Sequence, residues 1–309
     1  MRISKTFTVA LILFALSLGI SGLLNKAASN YAPVAEPDQS AEFNKKQYKR
    51  IICFSALCTE IAFGIGAADK IVGVSKFSNW PPEAATKPIV GDSYTINSEQ
   101  VTALKPDLVI VNGKAQKVYD FCKANNIEIL RIDIINLDKL YSGILTIGKK
   151  LGHQDQAQKL CQNIVGELNS VRIKVAGLPK RSVFICLYRQ PGTLANLSTV
   201  GANTVTSELI NIAGGDNIFS DLKDNYKEIS KETLLKRKPE IIIDPQQNII
   251  DSQTKVRLLN DWTALSTIPA VQNHQVYFPV AYPLLIPGTR IGQNAMEFAR
   301  MIHPEAFND

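Results

Sequence analysis

The sequence predicts an α/β protein of two similar Rossmann-like lobes with parallel sheets, joined by a long helix, with a ligand cleft between the lobes. Three observations point to the two lobes and the helix. Short aliphatic runs alternate with helix patterns and are separated by Gly and Pro, as parallel strands with crossover helices require. The alternation stops for about forty residues, 137 to 175, which contain no Pro and no strand pattern. It then resumes, and one unit is spelled twice, SEQVTALKPDLVIV at 98–111 and SKETLLKRKPEIIID at 230–244. In both, a Glu stands seven residues before a Pro, and one acidic residue and an aliphatic run follow the Pro.

Taken in order, Arg50–Phe54 reads as a strand, Cys58–Gly66 as a helix ending at Gly, and Lys70–Val74 as a second strand. Phe77–Pro82 is an aromatic loop, and helix Ser98–Leu104 feeds strand Leu108–Val111 through the Lys105-Pro106 stop. Helix Ala115–Asn125 and strand Glu128–Ile132 complete the first lobe. Leu137, Leu140, Ile144, Ile147 and Leu151 recur at helical spacing, which gives one long helix or two broken near Gly152-His153. The second lobe repeats the scheme: strand Ser182–Leu187, helix Thr204–Ala213, helix Ser230–Lys236, strands Ile241–Ile243 and Val276–Phe278, and a closing helix Thr289–Ile302. TEIAFGIGAADKI (59–71) is echoed by SELINIAGGDNI (207–218). Helix-start positions in the field of the dipole are the expected places of Glu60 and Glu208.

The expected boundaries are a signal peptide or anchor at 1–28, a flexible tether at 29–47, lobes at 48–136 and 177–309, and a linking helix at 137–176. A short basic stretch precedes an apolar run from Phe7 to Leu24, the form of an export signal. Lys26 falls where a cleavage site needs a small residue, and an uncleaved anchor is the competing reading. The expected location is therefore periplasmic or extracytoplasmic, with the segment either removed or retained as an anchor.

Composition excludes several classes. Apolar residues make up 45% and charged residues 20% of the 309, the balance of a folded globular chain. Without Arg2, Lys5 and Lys26 the basic residues number 31 against 28 acidic, and no aromatic-interleaved basic stripe occurs, so a nucleic-acid partner is not expected. The three His stand at no metal-ligand spacing, and neither G-x-S-x-G nor a phosphate-binding loop is present. The Gly of GIGAADK and AGGDN reads as a helix stop. Five Cys leave at least one unpaired and read as small buried hydrophobes. No catalytic residue, metal site or cofactor is expected.

What remains is a cleft, since open α/β lobes bind ligands outside the carboxyl ends of their strands. Phe77, Trp80, Tyr94, Tyr188 and Tyr226 fall in expected post-strand loops, as does Tyr282 in AYPLLIPGTR. Aromatic side chains in loops suit the walls of a binding pocket. Arg189 and Arg290 are placed to anchor a polar or anionic group. The candidate ligand contacts are Phe77, Trp80, Tyr94, Tyr188, Tyr226 and Arg290.

RIICFSALCTEIAFGIGAADKIVGVSKFSNWPPEA, the IVG that follows and NSEQVTALKPDLVIV resemble the N-terminal lobe of periplasmic binding proteins for cobalamin, iron–siderophores and haem. AGGDNIFSD, YKEISKETLLKRKPEIII and IPGTR resemble the C-terminal lobe of the same family, and the likeness runs from about Lys49 to Arg300. The resemblance implies a rigid linking helix and a non-enzymatic, exported component of an ABC importer, working with a permease dimer and its ATPase subunits. It also implies a cobalt- or iron-containing chelate as ligand, a corrinoid or a ferric siderophore, and a permease-docking role for Glu99 and Glu232, one on each lobe. The chain departs from the family at Ser55-Ala56-Leu57-Cys58-Thr59-Glu60, where Ser-Pro-Ser/Asn-Thr-Glu is usual, and at Ser93, where cobalamin binders carry an aromatic. Two other classes share the layout: a membrane-anchored ligand sensor, and a metal- or cofactor-dependent enzyme using Cys53 or Cys58.

Overall fold

The computed structural model describes residues 46–92 and 95–307. Gln47–Asp309 forms one compact unit. Its first lobe contains β1 (Ile51–Cys53), α1 (Ala56–Gly64), β2 (Ile71–Val74), α2 (Ser98–Leu104), β3 (Leu108–Asn112), α3 (Gln116–Ala124) and β4 (Glu128–Ile132). The four strands are parallel in the order β2-β1-β3-β4.

The linking segment, expected as one long helix or as two broken near Gly152-His153, is two, α4 (Leu137–Leu151) and α5 (Gln154–Lys174). Gly152 stands between them at φ +76°, in the left-handed region where Gly carries no Cβ penalty. His153 N–H donates back to Gly148 O at 2.8 Å and closes α4. The two helices pack closely, since a Cβ on Gly148 would lie 2.3 Å from that of Ala157.

The second lobe contains β5 (Arg181–Ile185), β6 (Leu197–Val200), α6 (Val205–Ile212), β7 (Gly215–Asn217), β8 (Tyr226–Ile229), α7 (Lys231–Arg237), β9 (Ile241–Ile243), α8 (Ser252–Trp262), β10 (Val276–Tyr277) and α9 (Ile291–Ile302). Its parallel sheet runs β10-β9-β5-β7. Numbered by appearance in each lobe, both sheets have the order 2-1-3-4. A separate antiparallel pair, β6 with β8, departs from the all-parallel expectation and places Tyr226 opposite Val200 instead of in a loop.

The duplicated unit has the same geometry twice. Asn97 accepts from Gln100 N–H at 3.0 Å to cap α2, and Ser230 accepts from Thr233 N–H at 3.2 Å to cap α7. Both helices end on a left-handed Lys, Lys105 (φ 44°, ψ 59°) and Lys238 (φ 46°, ψ 58°), directly before the Pro. The acid after each Pro holds the start of the lobe's first strand. Asp107 accepts from Lys49 and Arg50 N–H, and Glu240 from Ser182 N–H and Oγ.

Strand alternation divides the interior into three cores. Ile51, Cys53, Leu108, Ile110, Val183, Ile185, Ile241 and Ile243 face one continuous core shared with α4, α5 and α9, which cements the lobes together. The opposite faces fill separate outer cores, Ile52, Phe54, Val109 and Val111 in one lobe and Phe184, Cys186, Ile242 and Trp262 in the other. All five Cys are buried and free. Burial pushes the Cys58 thiol up to about 12 and those of Cys122 and Cys161 up to about 11. No helix among the described residues is long and apolar enough to cross a membrane. The expected export or anchor segment lies outside the described residues.

Candidate functional site

The first wall of the site is built on the start of α1. Ser55 caps the helix by accepting from Cys58 N–H at 3.1 Å. One turn on, Thr59 Oγ1 donates to Ser55 O and lies 2.9 Å from Ser78 Oγ, which in turn lies 2.9 Å from Ser75 Oγ. Thr59, Ser75 and Ser78 are buried, so this hydroxyl chain fixes the loop after β2 against α1. The loop presents Phe77, 60% exposed, and Trp80, 38% exposed.

Glu60 corrects its expected role. The helix begins at Ala56, so Glu60 lies beyond the first turn, and it is 1% exposed. Its Oε1 accepts from Arg290 Nη2 at 2.6 Å, and its Oε2 from Thr289 N–H at 3.1 Å and Thr289 Oγ1 at 3.3 Å. Gly288 is required beside it, since a Cβ there would lie 2.2 Å from Glu60 Oε2. Held by this carboxylate, the Arg290 guanidinium sits 4.7 Å from the Trp80 ring and 5.2 Å from the Tyr282 ring. Burial pushes the Tyr282 hydroxyl up, Glu60 adds to that and Arg290 opposes it. Arg290 Nε is buried with no hydrogen-bond partner among the described residues.

Glu208 is the counterpart of Glu60 in the repeat, and it also does more than meet a dipole. Its Oε2 accepts from Leu137 N–H at 2.7 Å, at the start of α4. Burial raises its carboxyl above the usual range. Each Glu therefore reaches out of its own lobe to the start of a helix beyond it, Glu60 to Thr289 and Arg290 just before α9, and Glu208 to Leu137 at the start of α4.

The structure brings Trp80 and Arg290 together and adds Tyr282. The 282–291 segment continues into a small hollow of about 50 Å³ where Tyr226 meets Ile134, Ile135, Leu284 and Pro287. Tyr188, 57% exposed, lines a different cavity of about 630 Å³ outside the carboxyl ends of β5 and β9. Phe77 carries Lys76 over its ring at 5.6 Å and lines neither space. Tyr94 lies outside the described residues. Arg189, expected as a possible ligand anchor, is paired internally with Asp244 at 2.8 Å and Asp261 at 2.7 Å.

The two Glu of the duplicated unit remain on the surface. Glu99 and Glu232 are exposed in the first turns of α2 and α7. The Glu232 carboxyl is held low by its own backbone N–H and the Ser230 hydroxyl. Among the described residues no group of three or more His, Cys, Asp or Glu is placed to hold a metal ion.

A bilobed body with matched 2-1-3-4 sheets and a site at the strand ends agrees with the sequence comparison, in which the family described as periplasmic binding protein matches residues 51–280. The chain belongs to the periplasmic binding protein family. A vitamin B12-binding protein of Yersinia pestis is 28% identical over 253 residues, 81% of this chain and 84% of that protein. Among solved structures, the periplasmic vitamin B12 binding protein BtuF of Vibrio cholerae superposes with a TM-score of 0.69 at 26% identity, covering 85% of this chain and 99% of that one. A possible iron-binding periplasmic solute-binding protein of Staphylococcus epidermidis shares the fold with a TM-score of 0.73 at 24% identity, over 84% of this chain and 100% of that one. These relatives are binding proteins, and this periplasmic binding protein is likewise not an enzyme.

Glu60 is a site residue that the sequence pattern alone did not mark. Its signal was present, since Ser55 is the cap-forming residue and Glu60 falls five positions after it, beyond reach of the dipole. Tyr282 stands among the loop aromatics of the sequence but not among the candidate contacts, although it lies eight residues before Arg290 in the same segment.

Proposed function

We propose that this chain is the exported solute-binding component of an ABC importer, which captures a metal chelate of the corrinoid or ferric-siderophore class and delivers it to a membrane permease. The observation that carries the reading is the Trp80–Arg290–Tyr282 cluster. Two aromatic faces, one from each lobe's loops, flank a cation that Glu60 holds rigid. Ligands that present ring faces beside polar groups suit walls of this kind, and a preset wall loses little conformational entropy on binding. Likeness to vitamin B12-binding proteins of two organisms supports the ligand class. The shared core restricts lobe movement, so ligand is captured with small rearrangement. Glu99 and Glu232, presented by matched helices, supply like charges to a two-fold permease.

The test is a titration of residues 47–309, the compact unit that holds the three cores described above. Cyanocobalamin, dicyanocobinamide, a ferric siderophore and haemin are added while tryptophan fluorescence is followed. Trp262 is buried in an outer core and Trp80 is in the site, so Trp80→Phe separates their signals. A bound chromophore is expected to quench Trp80, and unchanged emission with every ligand refutes the proposal.

A further inference from the structure

With the two lobes joined by one core and pinned at Glu60 and Glu208, neither lobe is free to swing over the cleft as a hinged domain would. Closure over a bound molecule is then left to loops.

One loop breaks the repeat. Between β3 and α3 the first lobe has three residues, 113–115, whereas between β9 and α8 the second lobe has eight, 244–251. Both ends of the longer loop are fixed. Gln246 N–H donates to Pro279 O and Gln246 O accepts from Ala281 N–H, each at 2.7 Å, and Gln246 Nε2 donates to Asp244 O at 2.8 Å. At the far end Asp251 caps α8 by accepting from Thr254 N–H at 2.7 Å. Residues 247–250 lie between these anchors and make no hydrogen bond to another described residue. Backbone of this kind belongs to the low-stability end of a fold, where rearrangement costs little.

The same span carries an apolar side chain into solvent. Gln247 and Asn248 are exposed, as loop polar residues usually are, but Ile249 is 89% exposed. Loop 244–251 lines the cavity of about 630 Å³ together with Tyr188, Pro191 and Gly192 of the loop after β5. Tyr188 also exposes its ring, yet its backbone is held, its O accepting from Ser198 N–H at 2.9 Å. One rim of the cavity is therefore fixed and aromatic, and the other is anchored at its ends, unbonded in its middle and tipped by Ile. A single exposed Ile is ordinary on a protein surface. Here it sits within an unbonded span whose loop shares a cavity with an exposed ring, and joining the two removes apolar area from water.

We propose that residues 247–250 form a strap that closes over this cavity by bringing Ile249 onto Tyr188, and that the strap, not lobe movement, retains the captured chelate. The retention rests on the proposed function; the closure does not.

Two measurements on residues 47–309 test it. In the first, hydrogen exchange is followed by mass spectrometry with and without cyanocobalamin, dicyanocobinamide, a ferric siderophore and haemin. The amides of 247–250 are expected to exchange at least about tenfold more slowly with whichever chelate quenches Trp80. Quenching of Trp80 without that protection overturns the strap and leaves the proposed function standing. In the second, Tyr188→Cys/Ile249→Cys is treated with oxidised glutathione, with and without the same chelates. The five native Cys are buried, so the new pair supplies the reactive thiols. A disulfide needs the two Cα atoms within about 7 Å, so its formation reports the closed strap, and it is expected without chelate as well as with it. Glutathione adducts on both Cys in place of the disulfide overturn the closure. If no chelate quenches Trp80, the proposed function falls, and the cross-link alone then upholds or overturns the strap.

Discussion

Replacing Glu60 by Ala would leave the Arg290 guanidinium, whose side chain is 11% exposed, without its counter-charge. It would also strip Thr289 N–H of its acceptor. Breaking one partner out of a buried ion pair costs about 3–5 kcal/mol, because the remaining charge keeps its desolvation penalty. For a body of this size each kcal/mol moves the melting temperature by about 2–4 °C, so a fall of roughly 6–20 °C is expected. The assay is thermal unfolding of residues 47–309 by near-ultraviolet circular dichroism, run as a cycle with Arg290→Met. Removing both charges should recover most of the loss, since an apolar pair of similar volume avoids burying either ion. A Glu60→Ala variant within about 1 kcal/mol of wild type refutes the pin between the lobes, since a broken buried pair should cost several times that. So does a double variant no better than the sum of the singles.

Glu208 should make stability depend on pH. Burial raises its folded carboxyl above the unfolded value, so its ionised form is a penalty present above the folded pKa and absent below the unfolded one. Glu208→Gln keeps an acceptor for Leu137 N–H and should melt higher than wild type at pH 7, with the advantage vanishing on acidification through the carboxylate range. Asn97→Ala and Ser230→Ala should each lose about 1 kcal/mol in urea unfolding, the value of one helix cap, and their effects should add because they sit in different lobes. Glu99→Lys and Glu232→Lys should each impair uptake of chelate by intact cells and leave the ligand affinity of the purified protein unchanged. Normal transport by both variants would refute the docking assignment.

Much of the fold was legible because its rules are local. Aliphatic runs bounded by Pro and Gly marked β1, β3 and β9, and the duplicated unit marked α2 and α7 to within a residue at either end. Gly66 and Gly214, both at φ +82°, end their helices where the sequence placed stops. Less was legible where a pairing is made across the chain. β6 and β8 are held by a ladder between segments about 29 residues apart, and neither LSTV nor YKEI has a long apolar run to announce it. Helix α8, with its mixed polar sequence SQTKVRLLNDW, is fixed by Trp262 in the outer core and by an Asp251 cap.

The site divided in the same way. Trp80 and Arg290 were visible as loop residues of the right chemistry, but nothing in their own neighbourhoods linked them across 210 positions. That link is Glu60, which can neutralise Arg290 only after the lobes have packed. Arg189 shows the converse, because by sequence it was a free cation in a loop and in the folded lobe it belongs to Asp244 and Asp261.

By itself the sequence determined the two α/β lobes, the helical segment joining them and the pair of surface Glu residues, since periodicity, caps and Pro stops act over a few neighbouring residues. Only the tertiary structure decided which charges are spent and which donors remain. Ion pairing and desolvation depend on distances between residues far apart in the chain, and those distances exist only once the shared core has brought both lobes together.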